Sequence, residues 1–207
     1  MPGAAGRVGA YPGSFNPPTV AHLAVARAAL EQAELDRVDL VVSESALGKE
    51  DVLVPSLDHR IAVLRRVAST RPWLGVRVTP LRLIADIAEH DDAVIVGADK
   101  WAQLLDPAWY GGSVARRDAA LARLPRVLVA PREPYPPPDL DGDIGLATPA
   151  LLLRLDAGLA AVSSTGARAG RREWILSEAE GWDAAGDTGT ARTDRSDRTD
   201  RPARPEA

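Results

Sequence analysis

The chain has 207 residues, of which 45% are hydrophobic and 26% charged, the balance of a soluble globular protein and not of a disordered or fibrous one. Its 25 basic and 29 acidic residues give a formal charge of −4, which excludes a general electrostatic attraction for nucleic acid or an anionic membrane. The absence of cysteine excludes disulfides, thiolate zinc sites and cysteine nucleophiles, and three histidines leave little for a histidine-rich metal cage.

The N-terminal residues contain neither a basic start followed by an apolar core nor a run long enough to span a bilayer, so we expect a cytoplasmic protein. Strand-like apolar runs and helix-like segments then alternate along the chain. The predicted strands are residues 7–11, 37–42, 75–79, 93–97, 126–130 and, more weakly, 159–163. The predicted helices are residues 20–34, 56–69, about 81–88 and about 100–105. This alternation predicts a doubly wound α/β fold, with a parallel sheet covered on both faces and ligands bound beyond the carboxyl ends of its strands.

The end of the chain has a different composition. Residues 183–207 contain no Val, Ile, Leu, Met or aromatic residue, and carry six acids against five arginines. We therefore expect one folded domain over residues 1–182, followed by a disordered low-complexity tail. Within the domain, residues 134–143 (PYPPPDLDGD) read as a proline-rich surface loop.

The loop after the first predicted strand reads PGSFNPPTVAH. Gly13 permits a tight turn close to a ligand, and the two prolines are tolerated only before a helix or in its first turn, so the helix begins near Thr19. His22 then lies in the first helical turn, where unpaired backbone N–H groups gather. A phosphate at this point would meet amides, a hydroxyl and an imidazole together. The alternative interpretation is a helix cap at Thr19 with a surface histidine.

The segment GSFNPPTVAH resembles the signature G-x-F-x-P-x-[HT]-x-x-H of the nucleotidylyltransferase superfamily, which transfers a nucleoside monophosphate from ATP or CTP to a phosphorylated acceptor. The resemblance implies a Rossmann-like nucleotidylyltransferase fold. It also implies nucleotide binding by Gly13, Ser14, Phe15, Asn16, Thr19 and His22.

A second motif follows the weak last strand. Ser163 to Arg168 (SSTGAR) resembles the superfamily's S-[ST]-T-x-x-R, and Ser164 stands 142 residues after His22. Ser164 or Thr165 can cap a helix whose free amides face anionic oxygen, and the Arg168 guanidinium can reach a β- or γ-phosphate. The alternative interpretation is a plain helix cap.

A third motif ends the strand at 93–97. Gly97 and Asp99 (GAD) resemble the Gly-x-Asp of nicotinate and nicotinamide mononucleotide adenylyltransferases, which contacts ribose hydroxyls; an aspartate here can also simply cap a helix. Trp101 and Trp109 are candidates either for stacking on the acceptor or for the core. Bacterial members of that group carry Pro-x-x-Lys after the second strand, whereas here Lys49 lies in SESALGKE without the proline, so it is either an acceptor ligand or a solvated lysine.

These motifs together imply transfer of AMP from ATP to a small phosphorylated acceptor, nicotinate or nicotinamide mononucleotide, with release of pyrophosphate. His22, Thr19 and Arg168 would serve catalysis by positioning and stabilising charge, with no protein nucleophile. Mg²⁺ would be held through the ATP phosphates, because no carboxylate cluster with ligand spacing is evident. We expect no nucleic-acid or membrane partner, and a homo-oligomer is compatible with the sequence.

Two further interpretations stay open. Cytidylyl or adenylyl transfer to another phosphorylated metabolite, such as phosphopantetheine or a sugar or alcohol phosphate, would keep every phosphate-binding residue. A non-catalytic nucleotide-binding protein could use the same fold. A dinucleotide-binding oxidoreductase is disfavoured, since no G-x-G-x-x-G follows the first strand.

Overall fold

A computed structural model describes residues 6–44, 55–136, 138, 140 and 145–183. Lys49, most of the predicted proline-rich loop beyond residue 136, and the predicted tail from residue 184 onwards lie outside the described residues.

One sheet of six parallel strands forms the centre of the molecule. The strands are β1 (Val8–Pro12), β2 (Arg37–Ser43), β3 (Leu74–Thr79), β4 (Ala93–Gly97), β5 (Arg126–Ala130) and β6 (Leu151–Leu152). Their order in the sheet is β3-β2-β1-β4-β5-β6, and every described pair is parallel. The predicted doubly wound α/β fold is confirmed, and so are its first five strands.

Helices cover both faces of this sheet. They are α1 (Val20–Gln32), α2 (Leu57–Ser69), α3 (Ile84–Ile87), α4 (Ala98–Leu105), α5 (Val114–Leu121) and α6 (Ser164–Arg168). Short 3₁₀ turns lie at Pro107–Tyr110, Leu159–Ala161, Arg172–Trp174 and Ser177–Ala179. None of the described helices has the length and apolar character needed to cross a bilayer.

The central strands are buried on both sides because successive side chains point to opposite faces. Ile95 and Leu128 pack into the cluster formed with α1 and α2, whereas Val94 and Val127 pack into the cluster formed with α3, α4 and α5. These four side chains are fully buried. This explains why β4 and β5 read as continuous apolar runs rather than alternating ones.

The sixth predicted strand, residues 159–163, is wrong. Leu159–Ala161 forms a 3₁₀ turn, and the sixth strand is Leu151–Leu152, which pairs with β5. The large apolar residues of 159–163 are Leu159 and Val162, and a spacing of three suits one helical turn better than a pleated strand. Gly158, with a φ of +87°, starts this turn.

The helix predicted over about 81–88 is shorter in the structure, where α3 begins only at Ile84. Side chains hold the preceding backbone outside the helix. The Leu81 N–H donates to the Thr79 hydroxyl at 3.2 Å, and the Leu81 carbonyl accepts from the Ser43 hydroxyl at 2.7 Å. Such side-chain bonds compete with the helical ladder.

The strand order reverses direction between β1 and β4. In open parallel sheets, ligands bind in the crevice outside the carboxyl ends of the strands at this switch point. The first motif follows β1 and the Gly-Ala-Asp motif follows β4, so both lie at the expected position.

Candidate functional site

The loop after β1 is anchored by a buried aromatic side chain. Phe15 is 2% exposed, its ring packs edge-on against Tyr11 at 5.4 Å between ring centroids, and it lies 5.1 Å from the ring of His22. Phe15 adopts a φ of +45°, a left-handed conformation that non-glycine residues rarely take and that surrounding contacts must maintain. Burial raises the pKa of Tyr11 well above its usual range, so its phenol stays neutral. The loop shape therefore depends on packing beneath it.

Gly13 is required by the same packing. A Cβ at Gly13 would stand 2.8 Å from the tip of the Phe15 ring, and that ring cannot move away because Tyr11 and His22 hold it. We expect Gly13→Ala to lower the free energy of unfolding by about 1–3 kcal/mol, the usual cost of overpacking. Thermal unfolding measures this effect.

The control for this prediction is Phe15→Leu, alone and combined with Gly13→Ala. If the Phe15 ring is what the new methyl group meets, the cost of Gly13→Ala should shrink in the leucine background, giving a non-additive cycle. If the changes in unfolding free energy of the two substitutions simply add, the new methyl group meets a residue other than Phe15.

The start of α1 joins Thr19 and His22 in a reciprocal cap. Thr19 is fully buried and is the N-cap; its hydroxyl accepts from the His22 backbone N–H at 3.4 Å, and the Thr19 backbone N–H donates to His22 Nδ1 at 3.0 Å. This is a capping box in which an imidazole takes the place of the usual glutamate. The structure confirms that Thr19 caps the helix, and the same residue also orients the histidine, which is half-buried rather than on the surface.

The cap fixes the tautomer of His22. A backbone N–H can only donate, so Nδ1, which accepts it, carries no proton and the ring proton of the neutral imidazole lies on Nε2. The Thr19 hydroxyl also lies 2.7 Å from Nδ1. His22 can therefore present an Nε2–H donor at the N-terminus of α1, where backbone amides and the helix dipole favour an anion.

The second motif lies directly on the first. The Ser164 hydroxyl donates to the Pro17 carbonyl at 2.8 Å, and Arg168 Nη1 donates to the Asn16 carbonyl. The chain after α6 continues the contact, since Thr19 and Ile175 form an antiparallel bridge and the Leu176 N–H donates to the Pro18 carbonyl at 3.3 Å. The structure thus brings together two segments that are about 150 residues apart in sequence.

The cap of α6 differs from the prediction. Neither Ser164 nor Thr165 is the N-cap; Ser163 is, and its hydroxyl accepts from the Gly166 backbone N–H at 3.1 Å. Ser163 takes this role because its backbone is extended while Ser164 is already helical. Ser164 is left to bind the first loop.

Arg168 is exposed and uses two of its N–H groups within the described residues, one on Asn16 and one on the Thr165 hydroxyl at 3.2 Å. A guanidinium has five N–H donors, so three remain for phosphate oxygens. Arg168 can therefore hold the loop and a ligand together.

Asp99 lies in the first turn of α4, after Gly97, which is the N-cap. Its carboxylate forms an ion pair with Arg132 at 3.4 Å (Oδ1 to Nε) and lies so close above Gly97 that a Cβ there would stand 2.5 Å from Oδ1. The Asp99 carboxylate and the Arg132 guanidinium both act electrostatically on Tyr11, which packs near His22. Asp99 is thus a carboxylate at the switch point rather than the cap of α4.

A cavity of about 130 Å³ opens beside the first loop, between β2, α2, α3 and α4. Its walls include Gly13 and Ser14 on one side and the exposed Trp109 on the other. The structure does not bring Trp101 to this cavity, because that side chain is 3% exposed in the core. Lys100 also lines the cavity; its Nζ donates to Gln103 at 2.6 Å and lies 5.8 Å from the Trp109 ring centroid.

Arg60 is a cavity residue that the sequence analysis missed. It belongs to α2 and reaches back to the first loop, where its Nη1 donates to the Ser14 carbonyl at 3.2 Å. Only the packing of α2 against the loop reveals its position.

Within the described ranges, no three His, Asp or Glu side chains lie close enough together to hold a metal ion. The residues at the site are hydrogen-bond donors suited to anions, with Asp99 as the carboxylate.

Comparison with known proteins gives a consistent result. Residues 10–168 match the model of the family described as cytidylyltransferase-like. A protein of Salinibacter ruber named "Probable nicotinate-nucleotide adenylyltransferase" is 30% identical over 136 residues, which are 58% of this chain and 65% of that protein. A protein of Methylorubrum extorquens with the same name is 41% identical over 70 residues, 34% of this chain and 37% of its own length. The matched stretches thus cover less than two thirds of these relatives.

Solved structures share the fold. The Plasmodium falciparum nicotinic acid mononucleotide adenylyltransferase complexed with NaAD superposes with a TM-score of 0.56 at 12% identity, covering 80% of this chain and 83% of that one. The same enzyme complexed with APC gives a TM-score of 0.55 over the same shares. At this identity the likeness concerns the arrangement of strands and helices.

Proposed function

This chain belongs to the cytidylyltransferase-like family, and from that premise we propose that it is an adenylyltransferase that transfers AMP from ATP to nicotinate or nicotinamide mononucleotide and releases pyrophosphate. The observation that carries the proposal is the convergence of α1 and α6 on one loop. That convergence brings His22 and Arg168 to the switch point of the sheet. The names of the similar curated proteins support the choice of acceptor.

In this reaction the phosphate oxygen of the acceptor attacks the α-phosphorus of ATP, the bond from that phosphorus to the bridging oxygen breaks, and pyrophosphate leaves. A phosphate acceptor is already ionised at neutral pH, so no side chain needs to remove a proton. The Nε2–H of His22 and the first amides of α1 would bind the α-phosphate, and their preorganised positions lower the barrier as charge develops on its oxygens. Arg168 would bind the β- and γ-phosphates, with Thr165 and the amides of α6 beside it.

Mg²⁺ belongs to the proposal as an ion carried on the ATP phosphates, where it neutralises negative charge. Its ligands would be phosphate oxygens and water. The chain's own part is to hold the phosphates through donors, with Thr19 fixing the ring of His22.

The proposal is tested by measuring pyrophosphate release for ATP and CTP against a panel of acceptors: nicotinate mononucleotide, nicotinamide mononucleotide, phosphopantetheine, a sugar phosphate and an alcohol phosphate. We expect release with ATP and a pyridine mononucleotide. Release only with CTP, or only with another acceptor, would replace this function by a sister activity. Nucleotide binding without any release would indicate a non-catalytic protein.

Asp99 gives a separate prediction about the ribose. Asp99→Asn keeps the shape of the side chain but weakens two charge-assisted hydrogen bonds to ribose hydroxyls, so we expect KM for one of the two nucleotides to rise about tenfold or more. Loss of the ion pair with Arg132 contributes little, since both side chains are partly exposed. Initial velocities with each substrate varied in turn measure this.

Asp118→Asn is the matched control, because Asp118 is an exposed carboxylate on α5 paired with Arg117. It should leave both Michaelis constants unchanged. If Asp99→Asn also leaves both Michaelis constants unchanged, the only role of Asp99 is its ion pair with Arg132, and the proposed ribose contact is wrong.

A further inference from the structure

Trp174 packs against the first turn of α6. A Cβ added at Gly166 would overlap Cζ3 of the Trp174 indole and would stand 3.1 Å from its Cε3, so the six-membered ring occupies the space directly beside the Gly166 backbone. The Gly166 N–H also donates to the hydroxyl of Ser163, the cap of α6, at 3.1 Å. A residue without a side chain is needed for so close an approach. The cap and the indole therefore hold the same turn.

The chain between α6 and Trp174 folds back on the helix. The Arg171 N–H donates to the Gly166 carbonyl at 3.1 Å, and the Gly170 N–H donates to the Ala167 carbonyl at 3.3 Å. Gly170 has a φ of +116°, so this pair of bonds around a glycine is the Schellman motif that commonly ends a helix. The Trp174 N–H then donates to the Arg171 carbonyl at 3.1 Å. This tight return brings the indole back beside the turn at which α6 began.

The residues that follow Trp174 attach to the start of α1. Ile175 forms an antiparallel bridge with Thr19, the N-cap of α1. Leu176 is buried in the core, and its N–H donates to the Pro18 carbonyl at 3.3 Å. Trp174 thus contacts α6 through its side chain, while the backbone directly after it pairs with α1. A displacement of the indole would therefore change the position of α6 relative to the cap of α1.

The turn that Trp174 contacts carries two side chains of the second motif. Thr165 precedes Gly166, and Arg168 ends the helix. Arg168 Nη2 donates to the Thr165 hydroxyl at 3.2 Å, while its Nη1 donates to the Asn16 carbonyl of the first loop. The directions of the remaining N–H groups depend on where α6 stands relative to that loop. Such positions matter, because a displacement of about 1 Å in a group that positions a substrate can cost about 10²-fold in rate.

We infer that Trp174 is a positioning residue for the donor nucleotide, whose indole fixes α6 against the start of α1 so that Thr165 and Arg168 face the phosphates of ATP. The inference rests on the proposed function, which assigns the β- and γ-phosphates to Arg168. Trp174 acts in this role through Gly166 and not by touching the substrate. Because only ATP carries β- and γ-phosphates, the effect of displacing the indole should concern ATP and not the acceptor.

The test exchanges the sizes of the two residues in contact. Trp174→Leu removes the ring atoms beside Gly166, Gly166→Ala pushes the ring away, and the double variant places a methyl group where the shorter side chain leaves space. For each full-length variant, isothermal titration calorimetry without acceptor gives the affinity for ATP. Pyrophosphate release gives KM for ATP and for the acceptor, and thermal unfolding gives the change in stability. If Trp174→Leu does not fold, Trp174→Phe provides the same measurements with a smaller aromatic ring.

Trp73→Leu is the matched control. Trp73 and Trp174 are both half-buried, and each has an arginine guanidinium 5.5 Å from its ring centroid, that of Arg27 and that of Arg171 respectively. Trp73 lies in the connection between α2 and β3, where it packs against the core. Its loss therefore removes a similar amount of packing without touching either motif.

We expect Trp174→Leu and Gly166→Ala each to weaken ATP binding and raise KM for ATP about tenfold, the size of one lost charge-assisted hydrogen bond. KM for the acceptor should change less than about threefold, since uniform binding is lost for one substrate only. The double variant should bind ATP more tightly than either single variant. Trp73→Leu should lower the melting temperature to a similar extent as Trp174→Leu and leave the affinity for ATP unchanged.

Three results would overturn the inference. Trp174→Leu could bind ATP as tightly as the unaltered chain does. It could raise both Michaelis constants equally, as Trp73→Leu would if the fold were merely loosened. The double variant could lose as much affinity as the two single variants together, which would show that the contact between Gly166 and the indole is not the cause.

Failure of the proposed function is recognised separately. If the unaltered chain binds ATP but releases no pyrophosphate with any acceptor, and only Trp174→Leu of the two tryptophan variants weakens ATP binding, the adenylyl transfer is wrong and the role of Trp174 stands. If pyrophosphate is released and Trp174→Leu leaves KM for ATP unchanged, the transfer stands and the role of Trp174 is wrong. A chain that binds no ATP would contradict both.

Discussion

Replacing His22 with alanine should lower kcat by about 10²-fold or more, the usual effect of removing one donor aimed at charge that develops in the transition state. The structure supplies a geometric reason, because Nδ1 accepts the Thr19 N–H and the ring proton therefore lies on Nε2, from which it would be donated to a phosphate oxygen. The substitution also leaves the buried Thr19 N–H without this acceptor, so the free energy of unfolding should fall by about 1–3 kcal/mol. Steady-state pyrophosphate release and thermal unfolding measure the two effects.

His90→Ala is the control, since His90 is exposed and far along the chain from the first motif. His90→Ala should change neither kcat nor the free energy of unfolding. Turnover that is unchanged in His22→Ala would remove the imidazole from the mechanism, even if the protein became less stable.

The second large effect concerns Arg168. Arg168→Met removes the donor to the Asn16 carbonyl and the charge that would face the β- and γ-phosphates. We expect kcat/KM for ATP to fall about 10- to 100-fold for each charge-assisted hydrogen bond lost, with a much smaller change in KM for the acceptor. Arg168→Lys keeps the positive charge but lacks the paired N–H donors of the planar guanidinium, so its kcat/KM for ATP should lie between the values for the unaltered chain and Arg168→Met. Kinetics with ATP varied at saturating acceptor measure the change.

Arg171→Met is the matched control, because Arg171 lies three residues after Arg168, beyond the end of α6, where it pairs with Glu173 at 3.7 Å and stacks over Trp174. Its kinetics should match those of the unaltered chain. Equal increases in KM for both substrates of Arg168→Met would instead identify Arg168 as a structural clamp of the loop alone.

The parts of the fold that could be predicted are those with local signals. Short apolar runs separated by helical segments located β1 to β5. Two prolines before a threonine located the start of α1 within one residue. The motif resemblance then placed the chain in the correct superfamily, as the match to the family model confirms. The short strand β6 was missed because two residues carry no periodicity.

The site was less predictable because its key contacts join distant segments. The first motif predicted that His22 lies in the first turn of a helix that begins near Thr19, but not that the imidazole would complete the cap of the same helix. Sequence could not show that Ser164 and Arg168 bind backbone carbonyls of the first loop, since carbonyl positions depend on tertiary packing. The same limit applies to Arg60, which reaches Ser14 across 46 residues.

The dependence of the first loop on residues 163–176 has a consequence for synthesis of the protein. The carbonyls of Asn16 and Pro17 receive their donors from residues 152 and 147 positions later in the chain. A ribosome adds residues from the N-terminus at a finite rate, so β1 and α1 emerge long before the segment that holds their connection in place. A nascent chain that ends before residue 163 can pair β1 with β2 and β4, yet it lacks the donors that shape the loop between β1 and α1. The loop between β1 and α1 therefore takes its final shape last, when residues 163–176 leave the exit tunnel.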